Sequence, residues 1–88
     1  MDNFVAITGN LAQEVRLNRT QNGTAVANTS VAVSRKKGEE KITSYFDVTI
    51  WGRLAENVAK ACQKGDRVTV TGTINQEKFE KEIGRAHV

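Results

Sequence analysis

The chain has 88 residues, of which 39% are hydrophobic and 26% are charged, so it can form one small core and no second domain. Thirteen Lys and Arg against ten Asp and Glu give a formal net charge of +3, and no apolar run approaches the roughly 20 residues of a membrane span. One cysteine, Cys62, and one histidine, His87, exclude an internal disulfide and a Cys/His zinc site. No signal or transit peptide pattern is visible. We therefore expect a cytoplasmic protein without metal, cofactor or membrane partner.

Alternating apolar and polar side chains predict that the chain is mostly β-strand. We expect residues 4–17 to form one long strand, bent by a bulge at Gly9, whose apolar side chains up to Leu17 face inward. The Asn-Gly pair at positions 22 and 23 predicts a tight hairpin turn. A second strand follows over residues 25–34, with Val31 facing inward and Ser30 facing outward.

The segment from Arg35 to Lys41 contains four basic and two acidic residues. It is predicted to be a hairpin loop that projects into solvent. The strand that follows, residues 42–51, has two different faces. Three apolar side chains of one parity are expected in the core, namely Phe46, Val48 and Ile50. The other parity is polar except for two rings, and it comprises Thr43, Tyr45, Asp47, Thr49 and Trp51.

After Gly52 the apolar residues change to helical spacing, which predicts one short amphipathic helix with Gly65 as its C-terminal cap. The apolar face of this helix is expected to consist of Leu54, Ala55, Val58, Ala59 and Cys62. From Arg67 the alternation returns, and the last strand is expected to place Val68, Val70 and Ile74 inward and Phe79 outward. The predicted order is strand, strand, strand, helix, strand. This is an all-β fold with one short helix, whose bent strands can curl into a small barrel.

The residues that could carry chemistry are few. The sequence has no cluster of His, Cys or paired carboxylates for hydrolytic or redox reactions and no glycine-rich phosphate loop, so we do not expect an enzyme or a nucleotide cofactor. The unusual feature is that Tyr45, Trp51 and Phe79 lie on the polar parity of their strands. Such rings can stack on nucleic-acid bases of any sequence. Packing beneath a loop, beneath the helix or against a neighbouring subunit is an equally open interpretation.

Several blocks of the sequence resemble the bacterial single-stranded DNA-binding proteins, over about residues 3–80. The blocks are Gly9-Asn10-Leu11 with Glu14-Val15-Arg16, Asn22-Gly23 with Ala25-Val26-Ala27-Asn28, Tyr45 to Gly52 with Leu54-Ala55-Glu56, and Lys64-Gly65-Asp66-Arg67-Val68. The resemblance implies an OB-fold, which is a small Greek-key barrel. It further implies a protein that binds and protects single-stranded DNA in replication, recombination and repair, as a homo-oligomer, most often a tetramer, in the bacterial nucleoid.

The same resemblance implies which residues form the site. The stacking aromatics of the family fall on Tyr45, Trp51 and Phe79. Phosphate contacts are expected from basic residues of the charged tip, the helix start and the last strand, namely Arg35, Lys36, Lys37, Lys41, Arg53 and Lys78. Asp47 stands where some members carry a basic residue, which predicts weaker contact with the DNA backbone at that point.

The C-terminal part departs most from the family pattern. The fifth strand that closes the barrel in the family has no counterpart, and neither has the flexible tail whose acidic tip recruits replication and repair proteins. Residues 82–88 match one reading frame of a DNA sequencing adapter, GAG-ATC-GGA-AGA-GCA-CAC-GTC. We therefore expect an OB-fold domain over residues 1–81, incomplete at its C-terminus, followed by a non-native tail over residues 82–88.

Two other functions stay open. A primosomal replication accessory protein has the same barrel, although the pattern of stacking aromatics fits that class less well. A structural subunit could instead use the exposed rings as a protein–protein surface.

Overall fold

A computed structural model describes residues 3–75 of the chain. Its elements, in chain order, are β1 (Val5–Leu11), β2 (Arg16–Arg19), β3 (Ala25–Lys37), β4 (Glu40–Trp51), α1 (Arg53–Ala61) and β5 (Arg67–Gly72). The five strands form one antiparallel sheet, which the described residues do not close into a barrel. The predicted fold class, an all-β OB-fold with one short helix, is confirmed.

β3 is the centre of the sheet because it pairs along both of its edges. β4 runs along one edge over twelve residue pairs. The other edge holds β2 beside residues 25–28 and the end of β1 beside residues 31 and 32. β5 then pairs with β1 over six residue pairs. The long β3 and β4 therefore supply most of the sheet surface.

The prediction of one continuous first strand is wrong, because the chain leaves the sheet between Leu11 and Arg16. Leu11 lies opposite Val31 and Arg16 lies opposite Asn28. The four residues 12–15 thus lie opposite only two residues of β3, 29 and 30. The backbone hydrogen-bond ladder between the strands cannot continue through such a mismatch. The bend lies in this four-residue segment and not at Gly9.

The charged segment predicted to be a loop is a β-ribbon. β3 and β4 stay paired as far as Lys37 and Glu40. The chain reverses at Gly38, which is the first residue of a two-residue hairpin turn. Its φ is 65°, and a turn of this kind needs a positive φ at that position, which glycine adopts readily. Backbone pairing does not depend on apolar side chains, and the hydroxyl groups of Ser34 and Thr43 add a hydrogen bond of 3.0 Å across the ribbon. The basic residues of this segment therefore have defined faces.

The Asn-Gly turn is confirmed, since Gly23 has a φ of 87° and its N–H donates to the Thr20 carbonyl at 2.9 Å. The helix is confirmed as well, but Gly65 is not its cap. α1 ends because Cys62 takes an extended conformation, and the Gly65 N–H instead donates to the Leu11 carbonyl at 2.8 Å. In residues 3–75 no helix has the length and apolar character needed to cross a membrane.

The buried core is small and lies between β3 and α1. The buried side chains there are Ala25, Ala27 and Ala55, and Leu11 and Val31 are buried where β1 pairs with β3. Val15 and Ile50 pack against the three alanines of this set. Alanine side chains let the helix approach β3 closely, but each buries little apolar area, so this core contributes only modest hydrophobic stabilisation.

Four side chains differ from the positions predicted for them. Leu17, Leu54 and Ile74, predicted inward, are 40%, 62% and 45% exposed. The reason is that Leu17 lies on the short edge strand β2, Leu54 in the first turn of α1, and Ile74 beyond the end of β5. Ser30, predicted outward, is 4% exposed. It is covered because β4 flanks it on one edge and Ala12, whose N–H donates to the Ser30 carbonyl at 2.8 Å, flanks it on the other.

The sheet is open between β4 and β5, which are not paired with each other within residues 3–75. An apolar cleft of about 510 Å³ lies between these strands and α1. The apolar residues that line it include Val48, Ile50, Val58, Cys62, Val68 and Val70, and the lining also includes residues of the opposite parity, namely Thr49, Trp51, Thr69 and Thr71. These six apolar side chains are only partly buried, so the cleft is the least covered part of the apolar interior.

Candidate nucleic-acid interface

Tyr45 and Trp51 point to one side of the sheet, and that side is open to solvent. Residues directly opposite each other on paired strands point to the same side, and Tyr45 lies opposite Ala32 while Trp51 lies opposite Val26. The two rings are 64% and 60% exposed, as the alternation predicts. The interpretation that these two rings pack beneath a loop or beneath the helix is therefore wrong for residues 3–75. We call this outward side of the sheet the aromatic face.

The spacing of the two rings limits how a nucleic acid could use them. They are six residues apart on β4, which corresponds to about 20 Å at the rise of a β-strand. Asp47 and Thr49 lie between them on the same side, and Thr49 Oγ1 donates to Asn28 Oδ1 at 3.0 Å. Stacked bases are only about 3.4 Å apart. The rings would therefore stack on separate parts of a bound strand, with a carboxylate between them.

The register divides the predicted phosphate contacts of the ribbon between its two sides. Lys36 lies directly opposite Lys41, and this pair continues the aromatic face towards the tip. Arg35 and Lys37 flank Lys36 along β3 and point to the other side. Like charges directly opposite each other destabilise a ribbon. An anion bound between Lys36 and Lys41 would relieve that repulsion.

The remaining predicted site residues lie near the Trp51 end or outside the described chain. Arg53 begins α1, directly after Gly52, and its side chain is exposed. Phe79 and Lys78 lie outside the described residues, as does the segment 82–88. The structure thus brings together two rings and one lysine pair on a single face, with a further cation at one end.

Two arginines that the sequence pattern did not identify also share the aromatic face. Arg16 of β2 lies opposite Asn28 of β3, and Arg67 of β5 lies opposite Asn10 of β1. Alternation indicates that each points outward, but it does not say which strands are neighbours. Only the order of strands in the sheet places these two side chains on the same surface as the rings.

The charges of the aromatic face are mostly positive. The cations on its described strands are Arg16, Lys36, Lys41 and Arg67, and the only carboxylate there is that of Asp47. Within residues 3–75 the single ion pair joins Arg19 to Glu56 at 2.8 Å and links β2 to α1. The four cations therefore have no carboxylate partner in that part of the chain. The same residues contain no group of three or more His, Cys, Asp or Glu that could hold a metal ion.

Comparison with known proteins agrees with this geometry. The model of the single-strand binding protein family matches residues 2–88. Single-stranded DNA-binding protein B of Bacillus subtilis (strain 168) is 39% identical over 87 residues, which cover 96% of this chain and 77% of that protein. The single-stranded DNA-binding proteins of Mycolicibacterium smegmatis and Treponema pallidum are 38% and 33% identical over 94% and 91% of this chain. The matched segments span 54% and 48% of those two proteins, about half their length.

Proposed function

We propose that this chain, which belongs to the single-strand binding protein family, binds single-stranded DNA through the aromatic face without strong base preference. The pair of exposed rings, Tyr45 and Trp51, carries this proposal. A base stacked on an aromatic side chain contributes roughly 1 to 3 kcal/mol, and every base has a π-face. Binding by stacking therefore tolerates any base sequence.

Cations that share the side of the rings supply the phosphate contacts. Lys36 and Lys41 are favoured over Arg35 and Lys37, because only the first pair points to the side of the rings. Arg53 follows Trp51 closely in the chain and would contact the DNA backbone at that end. These contacts add a term that depends on salt and not on base sequence.

Two further contacts are proposed from the family resemblance. Phe79 would act as a third stacking ring, and Lys78 would contact a phosphate beside it. Both lie outside the described residues. A third ring on the last strand would extend the stacking surface beyond β4.

For the whole protein we propose a role in DNA replication, recombination and repair. We expect the protein to form a homotetramer. We expect it in the cytoplasm, at the bacterial nucleoid. Replication and repair proteins would bind an acidic tail of the kind that follows the DNA-binding domain in this family. We treat the protein as a non-catalytic binding module, which its family membership supports.

The fluorescence of Trp51 tests the proposal, because it is the only tryptophan of the chain and lies on the proposed surface. Titration with oligo-dT should quench it strongly and to saturation, since the indole becomes stacked on a base. Duplex DNA at the same salt concentration should quench it little, because its bases are already stacked and paired.

The alternatives give other results. No quenching by oligo-dT in the folded protein would contradict single-strand binding and favour a protein–protein surface. Quenching by oligo-dT in a protein that sediments as a dimer would favour the primosomal accessory protein.

A further inference from the structure

One row of side chains crosses the aromatic face over four strands. Tyr45 of β4 lies opposite Ala32 of β3, which lies opposite Asn10 of β1. Asn10 in turn lies opposite Arg67 of β5. Neighbouring strands are about 4.8 Å apart, so the backbone of Arg67 lies about 14 Å from that of Tyr45 when measured along the sheet. The methyl side chain of Ala32 leaves the surface low between the ring and the two polar residues.

Asn10 orients the guanidinium of Arg67. Asn10 Nδ2 donates to the Gly65 carbonyl at 3.0 Å, which leaves Oδ1 as an acceptor, and Arg67 Nη1 donates to that oxygen at 3.4 Å. The neighbouring carboxylate, Asp66, accepts from the backbone N–H of Gln63 at 2.9 Å and forms no ion pair with Arg67 within residues 3–75. A guanidinium has five N–H donors. Most of those of Arg67 therefore remain available to a phosphate.

The surroundings favour a path across the sheet over a path along β4. A strand that followed β4 from Tyr45 to Trp51 would bring its phosphates past the exposed carboxylate of Asp47, which repels them. The surface towards β5 carries no carboxylate on its described strands. It offers hydroxyl groups instead, since Thr8 and Thr69 lie opposite each other there and share a hydrogen bond of 2.9 Å.

We infer that Arg67, oriented by Asn10, binds a phosphate of the DNA segment that stacks on Tyr45. The part of the bound strand that stacks on Tyr45 therefore crosses the sheet from β4 to β5 at this row, and a separate part of the strand stacks on Trp51. This step rests on the proposed function and specifies the course of the DNA over the same face.

The salt dependence of binding tests this assignment. Arg67→Gln removes the charge from the row, and Lys60→Gln removes one charge from the exposed end of α1, which packs on the opposite side of β3. The affinity for oligo-dT is measured by quenching of Trp51 at several salt concentrations. Each phosphate contact on a single strand contributes about 0.7 to the slope of log affinity against log salt. We expect Arg67→Gln to reduce the slope by about 0.7. Arg67→Lys, which keeps the charge, and Lys60→Gln should both show the slope of the unmodified chain.

The outcomes separate this assignment from the proposed function. An unchanged slope in Arg67→Gln, with Trp51 still quenched by oligo-dT, would overturn the phosphate contact and leave single-strand binding intact. An equal reduction in Arg67→Gln and Lys60→Gln would also overturn it, because the effect would then follow net charge and not position. If the unmodified chain shows no quenching at all, single-strand binding itself is contradicted, and the contact with it.

Discussion

Gly9 permits a close approach between β1 and β3. A Cβ atom at this position would clash with the carbonyl oxygen of Ala32 and would lie 2.9 Å from Cγ1 of Val31. A glycine inside a strand predicts either a bulge or a close backbone approach. The sequence alone favours the bulge, because the close approach depends on which strand lies alongside β1, and local alternation does not show that.

Replacement of Gly9 by alanine should destabilise the protein by about 1 to 3 kcal/mol, since the added methyl group meets backbone that has to move. Gly72→Ala is the matched control, because a Cβ there meets no atom of residues 3–75 within 4 Å. It should change the stability by less than about 1 kcal/mol. Urea unfolding followed by circular dichroism measures both. Equal unfolding midpoints for the two variants would show that the contact at Gly9 relaxes without cost.

At the scale of elements, β4 could be predicted well and the ribbon could not. The alternation from Phe46 to Trp51 predicts which side chains are exposed, because a strand with one covered face must repeat every two residues. The same rule gives no answer for Arg35 to Lys41, where every side chain but that of Gly38 is charged. There the backbone ladder and the turn at Gly38 decide the structure, and charged side chains are compatible with both a ribbon and a loop.

The two sides of the ribbon should differ in their effect on DNA binding. The double variant Lys36→Gln/Lys41→Gln should reduce the slope of log affinity against log salt by about 1.4, at about 0.7 for each phosphate contact. The double variant Arg35→Gln/Lys37→Gln removes the same charge from the other side and should reduce the slope much less. Titration of Trp51 fluorescence with oligo-dT measures both slopes. Equal slopes would mean that the ribbon acts through its net charge alone.

At the scale of the whole molecule, the order of strands in the sheet decides which distant residues become neighbours, and local periodicity does not give that order. The order of elements from β3 to β5 and the outward positions of Tyr45 and Trp51 follow from periodicity, which does not separate β1 from β2. The membership of Arg16 and Arg67 in the same face does not follow from it, because residues far apart in sequence become neighbours only when β2, β3, β1 and β5 pair. Periodicity likewise does not show that Leu54, in the first turn of α1, borders the open cleft and is 62% exposed.

We propose that a further segment of the same protein covers the cleft between β4 and β5 as the closing strand of the barrel. The predicted domain limit at residue 81 and the predicted non-native tail 82–88 lie outside the described residues. The test is a longer chain in which residues 82–88 are replaced by the residues that the source genome encodes after Lys81. This chain should be more resistant to urea, because a closing strand would cover Val48, Val68 and Val70. An extended chain with the same unfolding midpoint and the same dependence on urea would contradict this. Source DNA that encodes residues 82–88 with codons unlike the adapter would contradict the non-native tail.

The affinity of Trp51→Ala for single-stranded DNA tests the central claim most directly. It is measured by the fluorescence anisotropy of a labelled oligo-dT at fixed salt, with Leu54→Ala as the control, because Leu54 is 62% exposed and Trp51 is 60% exposed but only the ring lies on the aromatic face. Loss of one stacking ring should weaken binding by about 1 to 3 kcal/mol, which is about 5-fold to 150-fold in the dissociation constant. Leu54→Ala should bind as the unmodified chain does. A folded Trp51→Ala protein with unchanged affinity would contradict the claim that this face binds the DNA.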